Sequence, residues 1–363
     1  MTTPAPHKLS NIQALRGLAA LLVVFTHLPS MEIKHGGDSI LPAFIRFGIS
    51  GVDLFFVISG FIMVYVTWES RRNAKNSLKF LFARLSRIYP IYWFIAALVL
   101  AAWKIQPDLM SFDPRLTSLW KSFLLWPDIT FPMLKVAWTL IHELYFYLVF
   151  AVILLLPRRF LLPALIVWML FVLAGNLDGW SGKSPEAAIV FHPLTAEFFL
   201  GAMAGVIFKR FRAAIARPTL IVGILMWLAG LYYLATTLGP AEYPTDWERV
   251  LYFGMPGVFI VYGVAAIEQR GKYQFPRWCS VFGDWSYSLY LSHILTLSVL
   301  GYAWRPVARA SKWDNVLMLP VLVLGSVAVS ALLWYVFEQP VLRRFKRLRE
   351  RLFPRAQPKP PQE

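Results

Sequence analysis

Apolar runs close to the length of a bilayer-crossing helix recur along the chain, separated by shorter polar segments. They lie near residues 12–29, 47–68, 88–104, 136–156, 160–176, 192–209, 218–238, 250–267, 283–303 and 316–338. About 20 apolar residues cross hydrocarbon as a helix, and somewhat shorter runs cross when flanking residues adjust. The pattern therefore predicts an all-α, polytopic integral membrane protein with about ten transmembrane helices. The first run is long enough to span and has no small-residue cleavage site after it, so it reads as the first helix rather than a signal peptide.

The charges between the runs orient this bundle, because Lys and Arg concentrate on the cytoplasmic side. With the N-terminus inside, 25 of the 36 basic residues fall in cytoplasmic segments, including the six from Arg71 to Arg87 and the eight from Arg343 onward. The other side holds most of the acids, among them Asp128, Asp178, Glu186, Asp246 and Glu248. Both termini are thus expected in the cytoplasm. The net charge of +16 is spread over short segments between apolar runs, which suits membrane orientation rather than nucleic acid.

Composition agrees: 58% hydrophobic, 16% aromatic and 15% charged is not the balance of a soluble domain. The one cysteine, Cys279, excludes an intrachain disulfide and any cysteine-built metal site. Two segments stand apart. SLWKSFLLW, within 105–135, is too short to span and reads as interfacial or partly inserted, or as an amphipathic loop. The region 341–363 is a basic, proline-rich cytoplasmic tail, expected to form a surface helix followed by disorder.

Ionisable residues inside spans are costly and point to function. The first run, NIQALRGLAALLVVFTHLP, carries Arg16 and His27, eleven positions apart. Three helical turns place both on one face, roughly 16 Å apart along the axis. The assigned topology puts Arg16 in the inner half and brings His27, Asp53, Glu143, Glu197 and His293 toward the outer half or the middle. A histidine beside a carboxylate has the composition of a general base with its orienting group. His142 points about 100° from Glu143, so Glu143 is chosen as the residue facing the centre. Asp53 also suits a helix cap, His293 a packing residue, and His192 and Glu197 structural roles. His7 and His35 read as solvated loop residues. No metal is expected, since no pair of histidines one helical turn apart appears. On the inner side Arg84 and Arg87 stand three apart before Pro90, and share a face if helical; guanidinium groups there suit phosphate.

These residues fall in motifs that resemble one family. LRGLAALLVVFTH, SGVDLFFVISGF, the Arg84–Arg87 pair, WTLIHELYFYL and SYSLYLSH occur in that order over residues 10–340. Together they resemble the acyltransferase 3 family of integral membrane acyltransferases, in particular its stand-alone, ExoZ-like members that acylate exopolysaccharides. The resemblance implies a membrane-embedded acyltransferase domain over 10–340. It implies transfer of an acyl group, usually acetyl, from cytoplasmic acyl-CoA to a hydroxyl of a polysaccharide or its lipid-linked oligosaccharide precursor, in a bacterial inner membrane. It places the family's essential arginine and histidine on Arg16 and His27, and its paired arginines on Arg84 and Arg87. Joined to the residue reading, it makes His27 the base or transient acyl carrier, Glu143 or Asp53 its orienting partner, and Arg16, Arg84 and Arg87 the donor-binding set. His293, Tyr287 and Trp138, in the last two motifs, are the candidate substrate-binding residues. Members with a fused extracytoplasmic domain carry a long C-terminal extension that this sequence does not show, so the chain is expected to complete the transfer itself or to pass acyl groups to a separate protein. Two other readings stay open from sequence: a transporter or flippase for a sugar or acyl carrier, and a non-catalytic component of a polysaccharide assembly complex.

Overall fold

Inside hydrocarbon a backbone must satisfy its own N–H and C=O groups, which leaves helices as the available form for these runs. The computed structural model describes residues 9–36, 39–107, 117–211, 215–239, 242–271, 273–308 and 312–354, and among them no strand forms. The helices are α1 (Ser10–His35), α2 (Ser50–Thr67), α3 (Ala74–Ile105), α4 (Leu119–Leu124), α5 (Trp138–Ile153), α6 (Leu161–Leu177), α7 (Pro185–Val190) and α8 (Thr195–Arg210). They continue as α9 (Ala216–Thr237), α10 (Asp246–Arg249), α11 (Met255–Gln269), α12 (Arg277–Asp284), α13 (Ser286–Trp304), α14 (Lys312–Leu333) and α15 (Gln339–Leu352). Single π-helical stretches, Val250–Gly254 and Trp334–Glu338, join α10 to α11 and α14 to α15.

Nine helical segments among the described residues are long and apolar enough to cross a membrane. The run expected at 283–303 forms α13, which is 19 residues long but less apolar than those nine because Ser, Tyr and His side chains interrupt it. It is enclosed by its neighbours, and His293, Ser286, Ser288 and Leu289 are wholly buried.

The structure extends two expected boundaries. α3 begins at Ala74, well before residue 88, because the Asn73 side chain accepts from the backbone N–H of Asn76 at 2.9 Å and starts the helix there. Arg84 and Arg87 consequently ride on the same continuous helix as the third span. α15 likewise grows straight out of α14. The last residues of the tail, 355–363, lie outside the described residues, as does His7. The SLWKSFLLW segment forms α4, which turns in against the middle of α3: Trp93 Nε1 donates to the Phe123 carbonyl at 2.8 Å, and Tyr92 donates to that of Ser122. His35 is buried rather than solvated; its Nδ1 accepts from Arg305 Nε at 3.0 Å.

Two contacts set the frame around α1 and α2. The free N–H groups that begin a helix need acceptors, and Glu268 of α11 supplies them, taking the backbone N–H of Ser10 at 2.7 Å and of Asn11 at 2.8 Å. α2 and α8 cross at backbone contact, as small residues allow in membrane helices. A Cβ at Gly60 would stand 2.1 Å from the Phe198 carbonyl oxygen, and one at Gly201 would stand 2.0 Å from that of Val57. Phe56, Phe146 and Phe198 then stack across α2, α5 and α8, with ring centres 4.5 and 4.4 Å apart.

Candidate active site

A cavity of about 130 Å³ lies between α1, α2, α3, α5 and α13. One end is cationic, built by Arg16, Arg84 and Arg87 with Gln13 and Tyr287; the middle carries Ser59, Glu143 and Tyr147 against apolar side chains of α2; Thr139 and Tyr290 close the other end.

The three arginines are held by different means. Arg16 donates from Nη1 to Gln13 Oε1 at 3.0 Å, and Gln13 Nε2 donates to Asp284 Oδ1 at 2.6 Å. Gln13 thus links Arg16 to a carboxylate on α12, one turn back on the same helix face. Arg84 lies over the rings of Phe80 and Tyr147, 5.5 and 5.7 Å from their centres, an arrangement in which the aromatic faces attract the cation. Arg87 sits within electrostatic reach of Arg16 and of Glu338. Glu338, at the end of the second π-helical stretch, is buried and accepts from Ser288 Oγ of α13. Tyr287 lines the same end and donates to the Ile88 carbonyl at 3.2 Å.

Glu143 faces this cationic end. It accepts from Ser59 Oγ at 3.1 Å and from the Tyr147 hydroxyl, and lies within electrostatic reach of Arg16 and Arg84. His142, its neighbour, points away into a buried aromatic contact with His192, 4.4 Å between ring centres, as the 100° helical step requires.

His27 lies beyond the opposite end of the cavity. Its ring centre is 5.2 Å from that of His293, which in turn is 6.0 Å from the ring of Tyr290, a cavity-lining residue. His293 is wholly buried. Its Nδ1 approaches the carbonyls of Leu289 at 3.2 Å and Tyr290 at 2.8 Å. A carbonyl only accepts, so this nitrogen carries the proton and Nε2 is the bare acceptor. Nε2 has no hydrogen-bond partner among the described residues. Beside it, the Thr139 and Tyr290 hydroxyls lie 2.7 Å apart.

The structure gives Glu143 and Asp53, the two residues expected to orient His27, other partners. Glu143 is bonded to Ser59 and Tyr147, and Asp53 pairs with Arg249: Oδ1 accepts from Nε at 3.0 Å and stands 3.0 Å from Nη2 in the ion pair. Asp53 belongs to a second cluster, in which Asp53, Glu197 and Arg249 are buried and Asp246 and His192 are half-buried. Trp138 packs there too, under Arg249 and against Phe56 and His142, rather than on the cavity surface. Asp53 does stand in the first turn of α2, as its alternative reading as a cap had it, but its side chain serves Arg249.

Sequence reasoning missed Gln13, Ser59, Tyr147, Asp284, Glu338 and Arg249. Gln13 could have been found, since it precedes Arg16 by three residues on one face. Arg249 could not, because nothing in its acidic loop marks it as buried. Among the described residues, no group of three or more His, Cys, Asp or Glu side chains is arranged to hold a metal ion.

The chain is similar to known proteins over most of its length. The chain is 29% identical over 310 residues to the exopolysaccharide production protein ExoZ of Rhizobium meliloti (strain 1021), covering 82% of this chain and 90% of that protein. It is 25% identical over 362 residues to Nodulation protein 10 of Rhizobium leguminosarum bv. viciae, covering 92% and 93%. No solved structure matches. Residues 9–335 match the acyltransferase domain that defines the family, which takes in every cavity-lining residue: the chain belongs to the acyltransferase 3 family of membrane acyltransferases.

Proposed function

We propose that the chain moves an acyl group, acetyl, from cytoplasmic acyl-CoA to a hydroxyl of an exported polysaccharide or its lipid-linked precursor, from a bacterial inner membrane with both termini in the cytoplasm. The observation that carries this reading is the polarity of the cavity, with three arginines at one end and the His27–His293 pair at the other. Guanidinium groups hold the phosphates of CoA in bidentate fashion, and the pantetheine arm follows α1 toward His27. The relation to an exopolysaccharide production protein supports the acceptor class.

In the proposed reaction His27 takes the proton of the acceptor hydroxyl as its oxygen attacks the thioester carbonyl carbon. The C–S bond then breaks, and the thiolate leaves with the proton from His27 as free CoA. The His293 ring lies 5.2 Å from that of His27, and in the proposed reaction a small rotation of either ring would let its bare Nε2 take the N–H of His27 and leave the other nitrogen as the base. Glu143 balances the arginine charge and keeps the donor end from holding CoA too tightly for release. Tyr287 belongs to the donor end, and Trp138 acts through the packing of Phe56.

The test is reconstitution. Purified chain in lipid nanodiscs, given acetyl-CoA and the polysaccharide of its own cell, should release CoA thiol and replace a hydroxyl hydrogen with one acetyl group per modified position, read by mass spectrometry. Sugar flux with no thiol released would support a transporter instead, and thiol release only with added proteins would support a subunit of an assembly complex.

A further inference from the structure

The amphipathic helix α15 lies beyond residue 335, where the family match ends. It carries Arg343, Arg344, Lys346, Arg347, Arg349 and Arg351 within 14 residues. An expected surface helix would turn all of these to water or lipid headgroups. Arg349 does not fit that picture. Phe345, Arg349 and Phe353 follow at intervals of four, so they share the stripe of the helix that meets α3. Both phenylalanines close on the Phe82 ring, each with centres 6.2 Å apart, and Lys75 Nζ ties the end of the helix down by donating to the Pro354 carbonyl at 3.2 Å. Arg349 is therefore pressed between two aromatic contacts against α3, two residues from the level of Arg84.

Arg84 and Arg349 stand close enough for their like charges to interact. The Nε atom of each is buried without a hydrogen-bond partner among the described residues. The carboxylate that faces Arg84 is Glu143, already engaged by Ser59 and Tyr147. Two guanidinium groups within electrostatic reach, each with a buried Nε donor unmet, are unfavourable without an anion to answer them, since burying charged donors without partners costs stability. Phosphate fits that position, with oxygens enough to take both forks.

We propose that Arg84 and Arg349 form a clamp for a phosphate group at the cationic mouth of the cavity, with α15 as the arm that completes it. This rests on the acyl-CoA reading above for the source of the phosphate, which the clamp would take from the donor. An anionic lipid headgroup offers the same chemistry, and the test separates the two.

The full chain is placed in phosphatidylcholine nanodiscs and titrated by calorimetry with CoA, with pantetheine and with inorganic pyrophosphate. Arg349→Ala should weaken CoA and pyrophosphate about tenfold or more, the scale of a charge-assisted phosphate contact, and leave pantetheine unchanged. Arg347→Ala, at an exposed position of the same helix, should keep wild-type affinities. Arg349→Gln retains the stem between the phenylalanines and serves if truncation releases the helix. Unchanged CoA and pyrophosphate affinities in both Arg349 variants overturn the clamp. Pyrophosphate binding that depends on Arg349 in a chain that does not bind CoA upholds the clamp and removes the acyl-CoA reading. Adding phosphatidylglycerol to the discs identifies the source: CoA affinity that holds supports the donor, while pyrophosphate and CoA both displaced through Arg349 overturn the donor as occupant.

Discussion

Asp53 and Arg249 stand 196 positions apart in sequence and meet in a buried ion pair, Oδ1 accepting from Nε at 3.0 Å with Nη2 also 3.0 Å away. The pair bolts the start of α2 to α10, just ahead of a π-helical stretch. Removing one partner of such a pair leaves an uncompensated charge, which costs about 3–5 kcal/mol. Arg249→Ala should therefore lower the thermal unfolding midpoint in detergent sharply. The double variant Asp53→Asn, Arg249→Met should recover most of that loss and retain transfer activity. A double variant that is stable but inactive would show that Asp53 serves the chemistry and not the frame.

His27 carries the proposed proton transfer, a contribution of about 10²–10⁴ in rate. In His27→Ala, turnover should fall by that factor while calorimetric CoA affinity stays at the wild-type value. His293→Ala should lower kcat with little change in the donor KM, because His293 acts through His27. Equal losses in kcat and in CoA affinity for His293→Ala would place it at the donor instead.

Glu143 yields a prediction with an opposite sign for two roles. Glu143→Gln preserves acceptors for Ser59 and Tyr147 but removes the negative charge facing Arg16 and Arg84. The arginines then attract the donor phosphates more strongly, so KM for acyl-CoA should drop a few-fold with kcat changed less than about tenfold, a shift on the order of 1 kcal/mol. A fall in kcat of about a hundredfold at unchanged KM would return Glu143 to the general-base step.

Gln13 passes the charge of Asp284 to Arg16 through two hydrogen bonds. Gln13→Ala frees the Arg16 guanidinium to swing. The expected result is a rise in the acyl-CoA KM of about five- to tenfold, the scale of one typical intramolecular hydrogen bond, with the unfolding midpoint unmoved. Gln13→Glu, which adds a carboxylate beside Arg16, should raise KM further, and steady-state kinetics of the two variants side by side checks the order.

The helices were legible because each run obeys one rule, that apolar length must match hydrocarbon thickness. Arg16, Arg84 and Arg87 could be grouped because depth follows from topology, and depth alone brings the inner ends of α1 and α3 together. Depth does not fix azimuth. Asp53 and Glu143 were expected at a level from which they could approach His27, and the rotation of α2 and α5 turns one toward Arg249 and the other toward the arginines. Rotation is set by packing such as the Gly60–Gly201 crossing, which involves residues distant in sequence. The same limit hid Arg349, whose inward stripe shows only once Phe345 and Phe353 are seen to share Phe82.

The polar character of α13 has a consequence for biogenesis. Its serines, tyrosines and histidine make it a poor candidate to leave the translocon for lipid unaided, since each polar side chain at the centre of a span raises the cost of partitioning. Helices α1 and α3, which pack against it, are synthesised before it and α14 after it, so it enters a slot already partly lined with protein, where oxygens of Ile88, Val136 and Glu338 take the Tyr287, Tyr290 and Ser288 hydroxyls. Two of these partners precede it in the chain and one, Glu338, arrives later. The helix that brings His293 to the site is thus committed to the membrane by the assembly of the site itself.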